Sequence, residues 1–317
     1  LLLSLQPGNP VNRSNTQVDA TVAVLYGWDL GLDDEFAMAI DISTVGWCSV
    51  PTEMRYGWEQ LSLYALGIGA QIGELDYIYE ARGPRVFPTF AVVPALTHVI
   101  ACASHAGVSL DAVVHCGQSI RVLGKLPPKG SMHTRGEIVA FYDLKRLAQM
   151  VVRTSTELVE GTPVFETEWV LLLRGQGGFG GKPPQKNEMG KVLPTRVPDH
   201  RIEQKTLPEQ ALLYRLSGDT NPLHVDPSFA AKLGFEQGPI LHGLATLGFS
   251  ARALIASACG GDSDRLRFIS AQFKRPVWPG DTLATEIWRT DYGCVFRTKL
   301  VESDEIVIGT AWAEITK

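Results

Sequence analysis

The chain has 317 residues, 45% apolar and 20% charged, and its 29 Lys and Arg against 34 Asp and Glu leave a formal net charge of −5. That length holds two ordinary domains or one large one, and the composition is globular rather than disordered or fibrous. Scattered basic residues under a net negative charge exclude the clustered basic face that a nucleic-acid partner would need.

The opening Leu1-Leu2-Leu3-Ser4-Leu5 is too short for a signal peptide and follows no basic region. With no initiating Met and a polar stretch from Gln6 to Thr16, residues 1–35 read as an N-terminal extension or linker. The chain itself is compatible with a segment of a longer polypeptide. Trp58 to Ala70 reads as a helix running into a glycine-rich end, and Thr89 to Ala106 as a longer buried helix. After Val113 the texture turns β-branched, and Glu137 to Tyr142, Met150 to Leu158 and Val164 to Leu173 read as antiparallel strands. No run is expected to reach the roughly 18 apolar residues of a membrane span. The five cysteines, Cys48, Cys102, Cys116, Cys259 and Cys294, form no C-x-x-C pair and read as reduced, buried thiols rather than a disulfide framework or a zinc site.

Between the halves, Gly175-Gln176-Gly177-Gly178-Phe179-Gly180-Gly181-Lys182-Pro183-Pro184 spells G-x-G-x-x-G after an apolar strand. The prolines that follow occupy the place of the helix that would receive a pyrophosphate, so the dinucleotide reading fails and a mobile connector is expected, with Lys182 a candidate phosphate contact. The second half then repeats the order. Leu207 to Leu216 and Ile240 to Ser257 read as helices, and Phe268 to Phe273, Thr282 to Thr290, Cys294 to Val301 and Ile306 to Ile315 as strands. Tyr64-Ala65-Leu66 echoes Tyr214-Arg215-Leu216, Pro88 echoes Pro239, and Lys125-Leu126-Pro127 echoes Lys274-Arg275-Pro276. An α+β protein of two similar subdomains is expected, one over residues 36–180 and one over 199–317, joined by a linker at 181–198.

The copies differ where chemistry would reside. Counted from the paired tyrosines, Asp219 falls opposite Gly69 and His224 opposite Glu74. The stretch Ser217-Gly218-Asp219-Thr220-Asn221-Pro222-Leu223-His224-Val225-Asp226-Pro227 packs carboxylates, an amide and an imidazole into a loop stiffened by Pro and Gly. Asp226 before Pro227 reads as a helix cap. For Asp219, Asn221 and His224, capping is the weaker explanation, because a turn needs no histidine. A metal site is weaker still, since the spacing matches neither a calcium loop nor a zinc pattern. An Asp and a His five positions apart suit acid–base work on one water, with Asn221 orienting it. Gly243, opening the apolar helix, offers a backbone N–H for a developing oxyanion. His242 beside it reads as a packed helix-start residue.

Together, Tyr214 to Pro227 and Gly238-Pro239-Ile240-Leu241-His242-Gly243 strongly resemble the hydratase 2 motif of MaoC-like, R-specific enoyl-CoA hydratases. Tyr64 to Ala70, Phe87-Pro88-Thr89-Phe90, Gly177 to Lys182 and Pro276-Val277-Trp278-Pro279-Gly280 extend the likeness to the hydratase 2 domains of peroxisomal multifunctional enzymes, over about residues 40 to 317. The resemblance implies a double hot-dog fold, each subdomain a long central helix wrapped by an antiparallel sheet, with only the C-terminal copy catalytic. The degenerate first copy would accommodate the acyl chain. The implied reaction is reversible hydration of a trans-2-enoyl-CoA to the (3R)-3-hydroxyacyl-CoA in β-oxidation, with no metal or other cofactor. Asp219 and His224 would be the dyad, Asn221 the water-orienting residue and Gly243 the oxyanion donor. His115, Lys145 or its neighbour Arg146, Phe273 and Lys274 are the further substrate contacts it suggests. It also implies a homodimer, a place within a larger multifunctional chain, and a peroxisomal location in a eukaryote or a cytoplasmic one otherwise. The C-terminus carries no Ser-Lys-Leu signal. A MaoC-like dehydratase of a synthetic pathway and a non-catalytic acyl-CoA binding module are the alternatives.

Overall fold

The computed structural model describes residues 40–109, 112–181, 183–184 and 192–316. The extension expected over residues 1–35 lies outside them, as do Lys182 and residues 185–191 of the expected linker.

In the first half β1 (Thr52–Tyr56) leads into α1 (Trp58–Gly67), the short α2 (Leu75–Ile78) and the long α3 (Val92–His105), followed by β2 (Val113–Val122), β3 (Gly130–Leu144), β4 (Leu147–Leu158) and β5 (Pro163–Arg174). The second half runs β6 (His200–Lys205), α4 (Gln210–Tyr214), α5 (Pro227–Lys232), α6 (Gly243–Ser257), β7 (Leu266–Phe273), β8 (Thr282–Thr290), β9 (Gly293–Leu300) and β10 (Ile306–Ile315). All ten described strands join one antiparallel sheet in the order β1-β3-β4-β5-β2-β7-β10-β9-β8-β6. The order is palindromic about the β2–β7 seam, where Gly117 faces Gln272 and Ser119 faces Ser270, so each half contributes five strands in the same relative sequence. This is the double hot-dog arrangement: two long helices, each in the curve of its own half-sheet.

The central helices form because their apolar residues recur at helical spacing. In α3 the buried Val92, Ala95, Val99, Cys102 and Ala103 face the sheet, and Pro94 falls in the first turn, where no intrahelical N–H is lost. Gly136 of β3 admits the helix: a Cβ there would lie 3.0 Å from the His98 Cβ and 3.1 Å from the Cys102 Sγ. Helix α6 is buried on nearly every side, from Leu244 to Ile255. Fully buried leucines such as Leu247 and Leu254 each contribute about 2–3 kcal/mol of apolar burial.

Three expectations need correction, the first being Cys48, which is exposed where a buried thiol was expected. Pro88–His105 is an 18-residue helical stretch long and apolar enough by composition to cross a membrane, contrary to the expected absence of such a run, and it is mostly buried as the core helix of the first half. The described part of the glycine-rich connector is held in place. The Asp143 carboxylate, at the β3–β4 turn, accepts hydrogen bonds from the N–H groups of Lys145 (2.6 Å), Gly178 (3.0 Å) and Gly180. These bonds hold the Asp143 carboxyl below the usual carboxylate range, Gly178's first among them. A side chain at Gly177 would collide with the Lys145 carbonyl, so the clamp requires glycine there.

Candidate active site

The polar loop folds as its residue types dictate. Asn221 caps the short 3-10 turn Pro222–His224, its Oδ1 accepting the Leu223 N–H at 2.9 Å. Asp226 caps α5, accepting from Ser228 and Phe229, with Pro227 in the first turn. Asp226 is therefore a structural cap, and Asn221 keeps its amide NH2 for other work. Asp219 follows Gly218, which supplies φ +124°, and its Oδ1 accepts the Asn221 N–H at 3.2 Å.

His224 is buried, and its Nδ1 lies 2.8 Å from the Ile240 carbonyl. A carbonyl only accepts, so Nδ1 carries the proton and Nε2 presents a lone pair. Burial pushes the His224 pKa below its ordinary value, with the nearby Asp219 charge and the Ile240 hydrogen bond opposing that fall. The imidazole is therefore neutral near pH 7 with its tautomer fixed.

His242, at the N-cap of α6, does more than fill space. It is buried, stacks on His224 with centroids 3.6 Å apart, and contacts Tyr214 at 4.8 Å. Its Nε2 is 3.2 Å from the Asp219 carbonyl, while its Nδ1 is buried without a partner. Side-chain donor atoms of Asp219, His224 and His242 lie within 4.8 Å of one another.

Helix α6 begins at Gly243, and its N-cap side chain accepts no hydrogen bond from the N–H groups of the first turn. The N–H groups there remain available, as at any uncapped helix start. Phe273 packs so closely that a Cβ on Gly243 would lie 3.2 Å from its ring. Phe273 in turn meets the edge of His115 at 5.1 Å, and His115 stacks on Trp169 at 4.9 Å. The His115 Nε2–H donates to the Gly117 carbonyl at 3.0 Å, and burial pushes its pKa down to about 4.

Asp219, Asn221, His224, Gly243, His115 and Phe273 all line one cavity of about 500 Å³. Leu96, Val99, Ile100 and Ala103 of α3 form its far apolar wall, so the first half shapes a space whose chemistry belongs to the second. Lys145 and Lys274 do not line it. Lys145 sits in left-handed conformation at the β3–β4 turn, and the Lys274 Nζ donates to Gln272 Oε1 at 2.6 Å, partly buried. Arg275 lines the cavity instead. The strand alternation that turns Phe273 inward, continued two residues, brings in Arg275 and takes out Lys274, a signal present in the sequence. Trp169 and His242 were further residues missed as site members.

The double hot-dog chain thus sets a carboxylate–imidazole pair, in one half only, opposite an uncapped helix start at the polar end of an apolar cavity. Residues 191–311 match the family described as MaoC like domain, and residues 54–175 match the MFE-2 hydratase 2 N-terminal domain. The chain is 41% identical to 3-hydroxyacyl-thioester dehydratase Y of Mycobacterium tuberculosis, over 84% of this chain and 94% of that one. It is 35% identical to the peroxisomal enoyl-CoA hydratase 2 of Arabidopsis thaliana, over 81% and 89% respectively. The full-length peroxisomal multifunctional enzyme type 2 from Drosophila melanogaster superposes with a TM-score of 0.73 at 32% identity, over 84% of this chain and 48% of that longer polypeptide. The chain belongs to the MaoC-like family, in its two-domain hydratase 2 branch.

Proposed function

We propose that the chain is a (3R)-specific enoyl-CoA hydratase that reversibly adds water across the double bond of a trans-2-enoyl-CoA. The observation that carries this reading is the fixed tautomer of His224, whose Nε2 lone pair stands beside Asp219 at the polar end of an apolar cavity. His224 takes a proton from the water as its oxygen bonds to C3. Asn221, through its amide NH2, donates to the water and holds it. The electron pair of the double bond shifts toward the thioester oxygen, where the Gly243 N–H stabilises the charge, an effect typically worth about 3 kcal/mol of barrier. The dyad returns one proton to C2, so water is consumed and the enzyme recovers its protonation state. This sequence uses no metal and no further cofactor. The same steps in reverse dehydrate a 3-hydroxyacyl thioester, consistent with the name of the mycobacterial relative.

The apolar wall from α3 suits an acyl chain, and Arg275 suits an anionic group of the CoA moiety. The names of the relatives support a peroxisomal location in a eukaryotic cell, and the longer homologue supports a place within a multifunctional chain. A homodimer completes the proposal, and light scattering of the purified chain tests it.

The deciding experiment follows loss of the conjugated thioester absorbance with enoyl-CoA substrates of several chain lengths, with chiral analysis of the alcohol. Asp219→Ala and His224→Ala are expected to remain folded and to lose about 10²–10⁴-fold in kcat. Near-normal turnover in both variants would sink the mechanism, and a mainly (3S) product the stereochemical assignment.

A further inference from the structure

We infer that His242 is a positioning residue for the dyad: as a neutral Nε2–H donor to the Asp219 carbonyl, stacked on His224, it sets the distance and angle between the two catalytic side chains.

The geometry leads there directly. Asp219 sits in a partly exposed loop after Gly218 at φ +124°, its carboxylate held locally by one long bond from the Asn221 N–H at 3.2 Å. His242 reaches both partners from the rigid start of α6, bonding one through Nε2 at 3.2 Å and covering the other's ring at 3.6 Å. Because the Asp219 carbonyl can only accept, Nε2 bears the proton, and Nδ1 is left bare in a buried place with no partner. A second proton there would have no acceptor, and it would put a cation beside His224 and near Arg215. Burial, His224 and Arg215 all push the His242 pKa down, and only the hydrogen bond to Asp219 opposes them. Tyr214, packed on the remaining side, is buried and neutral, its pKa raised mainly by burial.

The first half supplies an internal control. Counted from Pro88 and Pro239, His242 falls opposite Ala91, and each is the N-cap of its central helix. Where the fold carries no dyad, a buried methyl group fills this place. Where it carries one, an imidazole does, with one nitrogen bonded to the acid's main chain and the other left unsatisfied. Packing alone gives no reason for that exchange, since a buried orphan nitrogen is a cost. A requirement to hold Asp219 does.

The inference rests on the hydratase reading for its kinetic arm and stands apart from it in its spectroscopic one. His242→Phe keeps the ring and deletes the donor, whereas His242→Gln restores an amide N–H at the position of Nε2. In hydration assays His242→Phe is expected to lose about 10-fold to 100-fold in kcat, the scale of a displaced reacting group, with KM within about threefold and an unchanged Tm. His242→Gln is expected to regain most of that loss. In ¹⁵N spectra of the wild-type imidazoles, His242 is expected to stay neutral and protonated at Nε2 from pH 8 to pH 5. Wild-type kcat in the Phe variant overturns the inference, as does a loss matched by a fall in Tm that Gln does not relieve. A His242 that titrates near 6.5 or protonates at Nδ1 also overturns it, even if the Phe variant fails to fold. An inactive wild type that still shows the Nε2–H tautomer would count against the hydratase reading and leave the His242 contact supported.

Discussion

At Gly243 the absence of a side chain is what the proposed chemistry uses. A methyl group there would stand 3.2 Å from the Phe273 ring, closer than ordinary contact, so either the ring or the helix start must yield by a few tenths of an ångström. In the proposed mechanism the helix start carries the N–H that meets the thioester oxygen, and a small displacement there weakens it in the transition state. Gly243→Ala is expected to lower kcat by about 10-fold to 100-fold with little change in KM. Gly243→Ala combined with Phe273→Leu, which makes room, should recover part of the loss. Equal kcat for wild type and Gly243→Ala would remove Gly243 from the mechanism. That Asp219, Asn221, His224 and Gly243 line one cavity was foreshadowed in the sequence by a histidine in a turn that needs none and by the likeness of the whole motif. His242 was not, because its significance lies in a stack and a hydrogen bond to residues 18 and 23 positions away. Those contacts exist only after the loop and α6 have packed together.

Among the elements, α6 is held in place by a second glycine. Gly248 meets the end of α1 so closely that a Cβ would lie 2.2 Å from the Ile68 Cγ2 and 2.7 Å from its Cβ. Ala would improve helix propensity by about 1 kcal/mol, but overpacking a rigid core costs about 1–3 kcal/mol, and Ile68 is fully buried with no direction in which to retreat. Gly248→Ala is therefore expected to lower stability by about 1–2 kcal/mol in urea unfolding, and a rise in the denaturation midpoint would refute the packing argument. Helices α3 and α6 and most inner strands were readable from apolar periodicity. Strands Thr52–Tyr56 and His200–Lys205 were missed, because each is an edge strand. In His200–Lys205 the burial alternates between exposed and half-buried, and the residues filling it are mostly polar or charged, so neither composition nor pattern marks a strand.

Over the whole molecule, the doubling was visible as sequence echoes, but the continuous sheet was not: the β2–β7 pairing that joins the halves is a contact across about 150 residues. Arg252 of α6 reinforces the seam, its Nε donating to Glu74 of the first half at 3.1 Å and its Nη1 to the Ile68 carbonyl at 3.1 Å. Both halves also bury histidines. His98 of α3 lies between Ser49 and Thr52, His115 against Trp169, and His224 against His242. Burial is the leading cause of a lowered pKa in all four. In the unfolded chain each would titrate near 6.5. Below that value the unfolded state binds protons that the native state refuses, so stability falls as pH falls, and it stops falling only when the native imidazoles protonate. For His115 that point is about 4, which sets the lower end of its window. Each histidine within its window contributes a slope of about 1.4 kcal/mol per pH unit. Stability should thus be level above about pH 7 and decline between about pH 6.5 and 5, before exposed carboxylates such as Asp199, held at about 2 chiefly by Arg196, begin to protonate. Urea unfolding at half-unit steps from pH 8 to pH 5 measures this directly. A midpoint that stays level to pH 5 would mean that the four histidines are not held neutral by the fold. His115→Phe, which removes one titrating group from the unfolded chain, should reduce the slope by about one quarter if all four act together.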